Sequence, residues 1–325
     1  MRNSFHTAGF SEVVHEIKQD PAEASYVYTA VARHSPRRGV SVRIGPAVLG
    51  SVKSARKLGT DVGSPADGDA PSPMDLALTG IASCAVATLL GGGSAQEMTF
   101  DGVQMSMELD STGAVRCRID AEGVADQERL TGLVDRMRSF SPNFTTMTRA
   151  VPVSTDFAAG AVRRHVAVAG PGAGFRPAAC RVRWLSGTQL ESFPACAPPL
   201  RVDQPKQLTG VDWGPNPQEY LLMALAADVA QQMGRTAGDE HVWEVRTRAR
   251  EDVRGLLLKT LDVVVLQDVE CVVVVPDSQP GSAAIEKMVS TAFAQSQVRD
   301  LISRPHPAEI TLASGRAGAA AAAMG

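Results

Sequence analysis

Apolar residues recur along the chain with two periods, and these periods predict helices and strands in alternation. In the first half the pattern predicts helices at 10–21, 71–90 and 125–140, and strands at 26–34, 39–45, 100–110, 114–123 and 150–157. In the second half it predicts helices at 218–234 and 281–303, and strands at 180–187, 198–205, 241–251, 260–277 and 309–315. Because helices and mainly antiparallel strands are mixed, the pattern indicates an α+β fold.

The most apolar helix of each half follows the same short motif. A shift of 144 residues aligns the two without a gap and pairs Pro71 with Pro215, Pro73 with Pro217, Asp75 with Glu219, Leu78 with Leu222, Ala82 with Ala226, and Cys84 with Asp228. The order of elements around them is also repeated. The sequence therefore predicts a first repeat at 1–160, a linker at 161–178, a second repeat at 179–315 and a disordered tail at 316–325.

Composition and the absence of certain motifs argue against several kinds of partner and bound group. The chain has 325 residues, 44% apolar and 21% charged, with a net charge of −3, which argues against nucleic acid or an anionic membrane as partner. The N-terminus has no apolar signal segment, so we expect a cytoplasmic protein. The five cysteines form no CxxC pair, and neither HExxH nor GxxxxGK[ST] occurs. We therefore expect no metal site, no bound cofactor and no disulfide framework.

The helix sequences PSPMDLALTGIASCAVATL and GPNPQEYLLMALAADVA resemble the central helix of the OsmC/Ohr family, thiol peroxidases that reduce organic hydroperoxides. In that family the reactive cysteine follows the helix-starting proline by eleven residues, as Cys84 follows Pro73. The stretch YTAVARHSPRRG at 28–39 also resembles the family's N-terminal strand and turn. The resemblance gives Arg37 the role of the arginine that activates the thiol, with Arg38 as the alternative.

Family members are intertwined homodimers with reaction sites near the subunit interface. The resemblance therefore implies that two repeats in one chain form an intramolecular pseudo-dimer around a pseudo-twofold axis, which could dimerise further. The two apolar helices would cross at its centre, where small residues such as Gly80 allow close approach. The implied partners are a small, apolar substrate and an external thiol reductant.

Three positions depart from the family pattern. The glutamate that holds the arginine is replaced by Met74, and by Gln218 in the second repeat. The resolving cysteine is replaced by Ser141, whose counterpart in the second repeat is approximately Ser296. Asp228 stands in the place of the reactive thiol of the second repeat. The pattern therefore predicts a one-cysteine mechanism confined to the first repeat.

The roles of the charged residues stay open. Asp75 or Glu219 could anchor the activating arginine in place of the missing glutamate, or could act as the acid that stabilises the first turn of a helix. Asp228 could pair with an arginine, could act as an acid or base with a raised pKa, or could reach solvent. Cys84 lies about three turns into its helix, beyond the reach of the helix dipole, so a reactive thiolate there requires a cation from elsewhere in the fold.

Three functions fit this sequence. The first is a one-cysteine hydroperoxide reductase in which Cys84 becomes a sulfenic acid. The second is another cysteine-dependent enzyme of specialised metabolism, in which Cys84 attacks a different electrophile. The third is a non-catalytic protein that binds a small apolar ligand.

Overall fold

A computed structural model describes residues 3–63, 69–168, 174–237, 241–275 and 282–313. Its first half contains α1 (Thr7–Gln19), β1 (Ser25–Ser35), β2 (Gly39–Ile44), β3 (Ala47–Leu49), β4 (Val52–Ser54), β5 (Gly59–Val62), α2 (Pro73–Ala95), β6 (Gly102–Leu109), β7 (Val115–Glu122), α3 (Gln127–Phe140), α4 (Pro142–Arg149), β8 (Val153–Ala159) and β9 (Val162–His165). Its second half contains β10 (Ala178–Ser186), β11 (Gln189–Pro194), β12 (Leu200–Val202), α5 (Pro217–Ala237), β13 (Trp243–Asp252), α6 (Arg254–Leu257), β14 (Gln267–Val275), α7 (Ser282–Ala294), α8 (Gln297–Ser303) and β15 (Ala308–Leu312). The α+β class is confirmed.

Helices α2 and α5 begin in the same way. In α2, the Ser72 hydroxyl accepts from the Asp75 backbone N–H (3.2 Å), and the Asp75 carboxylate accepts from the Ser72 backbone N–H (2.8 Å). In α5, Asn216 and Glu219 exchange the same two bonds at 2.8 Å each. This reciprocal capping satisfies backbone donors that would otherwise be unpaired at a buried helix start.

Helix α2 is long and apolar enough to cross a membrane by length and composition, with a mean hydropathy of 1.7, but 78% of that window is buried inside the protein. It therefore serves as a core helix. The prediction that this helix ends at residue 90 is wrong, since α2 continues through Gly91, Gly92 and Gly93 to Ala95. Other boundaries differ too: the predicted strand at 198–205 is reduced to β12, the predicted strand at 260–277 begins only at Gln267, and the predicted helix at 281–303 is interrupted near Ser296. Residues 276 and 277 of that strand lie outside the described residues.

Two β-sheets combine strands from both halves of the chain. The first has the order β4–β3–β1–β13–β14–β8–β9, with β2 pairing β1 and β5 pairing β2. The second has the order β12–β11–β10–β6–β7–β15. The central pairs β1–β13 and β10–β6 are antiparallel and each joins one half to the other, whereas β8–β14 and β7–β15 are parallel. The two halves are thus interleaved rather than separate.

The order of strands is the same in the two sheets when first-half and second-half elements are exchanged. The path β2–β1–β13–β14–β8 of the first sheet corresponds to β11–β10–β6–β7–β15 of the second. The predicted domain limits and pseudo-twofold axis stay predictions, for which this order is a supporting observation. Strand β9 lies inside the predicted linker, and the predicted tail at 316–325 lies outside the described residues.

Helices α2 and α5 cross at Gly80. A Cβ atom on Gly80 would lie 2.7 Å from the Pro217 carbonyl oxygen and 3.0 Å from the Leu221 nitrogen, both of them backbone atoms. The buried Asn143 side chain fixes the crossing, because its amide donates to the carbonyl oxygens of Gly80 (2.9 Å) and Pro217 (2.8 Å). The missing side chain of Gly80 therefore sets the distance between the two helices.

Candidate active site

The Cys84 thiol lies on the buried side of α2, and only 3% of the residue is exposed. Burial raises the pKa of Cys84 to about 12, because a thiolate loses its hydration inside the protein. The Thr88 hydroxyl, one turn further along, donates to the Cys84 carbonyl oxygen at 2.8 Å and also faces the sulfur. At neutral pH the resting form is therefore the protonated thiol.

Three polar groups from other elements face this sulfur. Gln218, in the first turn of α5, places its side-chain nitrogen 4.0 Å from Cys84 Sγ. The Ser141 hydroxyl and the Asn143 backbone N–H, at the start of α4, also lower the pKa of Cys84, but less than burial raises it. Gln218 and Ser141, at two of the positions where the sequence departs from the pattern that it resembles, thus both lie beside Cys84.

Arg37 and Arg38 lie in the exposed turn between β1 and β2. Within the described part of the chain, no arginine is among the groups that shift the pKa of Cys84. The activating role that the resemblance gives to Arg37 therefore has no supporting contact in this arrangement and stays a prediction.

A different arginine, which sequence reasoning missed, pairs with the start of α5, and its side chain is only 9% exposed. Arg56 donates to Glu219 at 2.5 Å and to Asp212 at 3.2 Å. Glu219 thus caps α5 and pairs with Arg56, whereas its predicted role as an anchor for Arg37 stays a prediction. Asp75 caps α2 through Ser72. Arg56 follows a short strand in a polar stretch, where no pattern distinguishes it from a surface cation.

Asp228 occupies on α5 the place that Cys84 occupies on α2. It accepts from the Ser296 hydroxyl (2.8 Å), the Val298 backbone N–H (2.9 Å) and the Gln232 amide (3.3 Å). Ser296 and Val298 open α8 as Ser141 and Asn143 open α4, so the second half repeats the geometry around Cys84 with a carboxylate in place of the thiol. Burial raises the pKa of Asp228 although these bonds lower it. Asp228 is buried and bound to the start of α8.

A buried carboxylate near Cys84, that of Glu251, was not identified from the sequence. Glu251 lies near the end of β13 on the face that points into the core, and it is fully buried. The strand pattern could have identified it, because side chains alternate between the two faces of a strand. Glu251 is an even number of residues from the buried apolar residues Trp243, Val245 and Ala249 and therefore lies on the same face. Tyr28, on the neighbouring strand β1, faces it from the same side.

Two cavities lie beside the central helices. The larger, of about 570 Å³, is lined mainly by apolar atoms and reaches α2 at Ala87 and Thr88. The smaller, of about 340 Å³, lies at the corresponding place beside Asp228. Cys84 itself does not line the larger cavity, and Thr88 is the lining residue that contacts it. The smaller cavity is the counterpart on the other half.

These surroundings change the order in which the cysteines should react. An arginine-activated Cys84 would be labelled first, but the pKa values of Cys84, Cys117, Cys180 and Cys271 are all raised by burial. Cys196 is exposed. We therefore expect iodoacetamide at pH 7 to modify Cys196 before the other four, as measured by peptide mass spectrometry. Preferential modification of Cys84 would instead indicate a cation at the thiol.

Comparison with known proteins agrees with the resemblance for one part of the chain. Residues 66–156 match the family model described as OsmC-like protein. The matched segment contains the whole of α2, with Cys84, and continues into β8. No curated protein matches the chain. The match shows that this segment of the chain is similar to OsmC-like proteins.

Proposed function

We propose that this protein is a one-cysteine organic hydroperoxide reductase in which Cys84 is the nucleophile. The observation that carries the proposal is the convergence of buried polar groups from α4 and α5 on the Cys84 sulfur. Cys84 itself lies in the segment that matches an OsmC-like protein. Buried polar groups are costly in a core, so their arrangement around one thiol favours chemistry over packing.

The larger cavity supports an apolar substrate. Phe5, Phe10, Leu133, Met137 and Phe140 are among its lining residues. Its volume of about 570 Å³ is in the range of small-molecule sites. Because Thr88 both lines this cavity and contacts Cys84, a hydroperoxide bound there by its apolar part could direct its peroxide group towards the thiol.

The regenerating thiol comes from outside the chain in this proposal. Ser141 lies where the family has its resolving cysteine, and a hydroxyl cannot form a disulfide. All five cysteines are free. A sulfenic acid on Cys84 would therefore be reduced by two equivalents of a small thiol, which yields water and the disulfide of that thiol.

We further propose that the chain is an internal duplication that reproduces the family's dimer. The matching strand order of the two sheets supports this, as does the equivalence of the Cys84 and Asp228 surroundings. The second site would then be inactive, because a carboxylate cannot be oxidised as a thiol is.

A second candidate function is the binding of an apolar molecule without thiol chemistry. The raised pKa of Cys84 favours it, since a protonated thiol is a poor nucleophile. In that case the protein would bind ligands in the larger cavity, and replacement of Cys84 would not affect binding.

Peroxide consumption with dithiothreitol as reductant tests the proposed function. We expect cumene hydroperoxide to be consumed faster than hydrogen peroxide, because only the former gains from burial in the apolar cavity. Equal rates for the two peroxides would contradict the substrate class, and no consumption of either would favour the ligand-binding function.

A further inference from the structure

Glu251 is a fully buried carboxylate with no ion-pair partner among the described residues. Neither of its two oxygens has a partner in hydrogen-bond geometry. The Tyr28 hydroxyl and the Gln218 amide face it and lower its pKa, but burial dominates and raises the pKa of Glu251 to about 8. A carboxylate with free lone pairs in such a place is able to accept a proton near neutral pH.

The Gln218 side chain faces both this carboxylate and the thiol. Its side-chain nitrogen lies 4.0 Å from Cys84 Sγ, and the same amide faces Glu251. The charge of Glu251 also raises the pKa of Cys84, so each group is within electrostatic reach of the other. The Tyr28 hydroxyl, the Ser141 hydroxyl and the Gln218 carbonyl oxygen are buried without partners. Buried polar atoms of this kind are usually satisfied by ordered water, which would give a proton a route.

The other charged groups around Glu251 do not neutralise it. Asp252, the next residue, raises the pKa of Glu251 and is itself paired with Arg254 at 2.5 Å. Tyr26 and Tyr28 of β1 both have pKa values raised by burial and by the charge of Glu251. On α5, Glu219 is paired with Arg56. Glu251 is thus a buried carboxyl group close to Cys84 whose protonation can change in the neutral range.

We propose that Glu251 takes the proton of the Cys84 thiol and returns it to the alkoxide that leaves the hydroperoxide. This inference rests on the proposed function. The carboxylate accepts the proton and becomes a carboxylic acid, while Cys84 becomes a thiolate. The thiolate sulfur attacks the terminal peroxide oxygen, a sulfur–oxygen bond forms and the oxygen–oxygen bond breaks. Sulfur loses two electrons to the peroxide, the product alkoxide takes the proton from Glu251, and the carboxylate is restored.

The advantage of this arrangement is that no net charge enters the core. An arginine would lower the pKa of the thiol by stabilising a thiolate, whereas here one negative charge moves from the carboxylate to the sulfur and back. The site would therefore function without the cation that the family pattern requires.

Two reactions of Cys84 separate this role from its alternatives, because they differ in their need for a proton. Alkylation by iodoacetamide depends on the thiolate, and its leaving iodide takes up no proton. Oxidation by cumene hydroperoxide requires a proton for the alkoxide. Both are measured in single turnover, by mass spectrometry of the Cys84 peptide, for the wild type, Glu251→Gln and the control Glu244→Gln on the outer face of β13.

We expect Glu251→Gln to change the two rates in opposite directions. Oxidation should fall about a hundredfold, the usual contribution of a general acid–base group. Alkylation above pH 8 should become faster, because removal of the negative charge lowers the pKa of Cys84. Wild-type oxidation should rise with pH and level off above about 8, where Glu251 is ionised and able to accept the proton. Glu244→Gln should change neither rate.

The contrary results are distinct. If both rates fall together in Glu251→Gln, the residue has a structural role and the inference is wrong. If both rates rise in Glu251→Gln, the only effect of the Glu251 charge is to raise the pKa of Cys84 and so to lower the amount of thiolate. The inference is then equally wrong. If wild-type Cys84 is alkylated but is never oxidised by the hydroperoxide, the proposed function fails and the role of Glu251 fails with it.

Discussion

Replacement of Gly80 by alanine is expected to destabilise the protein, although the same change usually stabilises a helix. The added Cβ would lie 2.7 Å from the Pro217 carbonyl oxygen and 3.0 Å from the Leu221 nitrogen. Neither atom can move without a shift of α5, so we expect a loss of about 1–3 kcal/mol in the free energy of unfolding. The measurement is urea denaturation followed by circular dichroism.

Gly91→Ala provides the matched control in the same helix. A Cβ atom there would meet nothing within 4 Å. We expect Gly91→Ala to stabilise the protein by up to roughly 1 kcal/mol through helix propensity. If Gly80→Ala proved as stabilising as Gly91→Ala, the close crossing of α2 and α5 would be wrong.

Replacement of Cys84 by serine is expected to abolish peroxide consumption. Serine keeps the approximate size of the side chain, but its hydroxyl cannot be oxidised to an analogue of sulfenic acid. The rate with cumene hydroperoxide and dithiothreitol should therefore fall to that of the uncatalysed mixture. The measurement is loss of hydroperoxide over time at equal protein concentration.

Cys196→Ser is the control for this experiment, because it removes the exposed thiol and leaves Cys84 in place. We expect it to retain the wild-type rate. If Cys84→Ser retained turnover while Cys196→Ser lost it, the reactive thiol would be the exposed one and the buried site would have no catalytic part.

The central helices were predictable because their signals are local. Each starts at a proline and has an acid two residues after it, and in the structure Asp75 and Glu219 complete a reciprocal cap. The boundary error at the glycines also has a local cause. Glycine ends exposed helices readily, but Gly93 is buried against Phe100 and Leu133, and such contacts outweigh the cost of three glycines.

The surroundings of Cys84 were less predictable because they come from elements far apart in the chain. The family pattern indicated position 84 and the departures at 141 and 218, and all three meet in the structure. Tyr28 and Glu251 are neighbours only because β1 pairs with β13 across the two halves. The register Tyr28–Ala249 brings them to the same inward face, and no local pattern determines that register.

The roles of the two predicted arginines illustrate a limit of motifs. The resemblance gives Arg37 a position in the sequence, but the contacts of a side chain depend on how the turn is oriented, and the turn between β1 and β2 is exposed. The largely covered side chain of Arg56 is tolerated because two carboxylates from α5 and the loop before it, Glu219 and Asp212, offset its desolvation.

The oxidation state of Cys84 after one equivalent of cumene hydroperoxide is the most direct test of the proposed function. Dimedone is added to trap sulfenic acid, and all five cysteine peptides are measured by mass spectrometry. We expect a dimedone adduct on Cys84, a mixed disulfide at Cys84 when a small thiol is present, and no internal disulfide. A disulfide between Cys84 and another cysteine of the chain would contradict the one-cysteine mechanism, and an unmodified Cys84 would contradict peroxide reduction altogether.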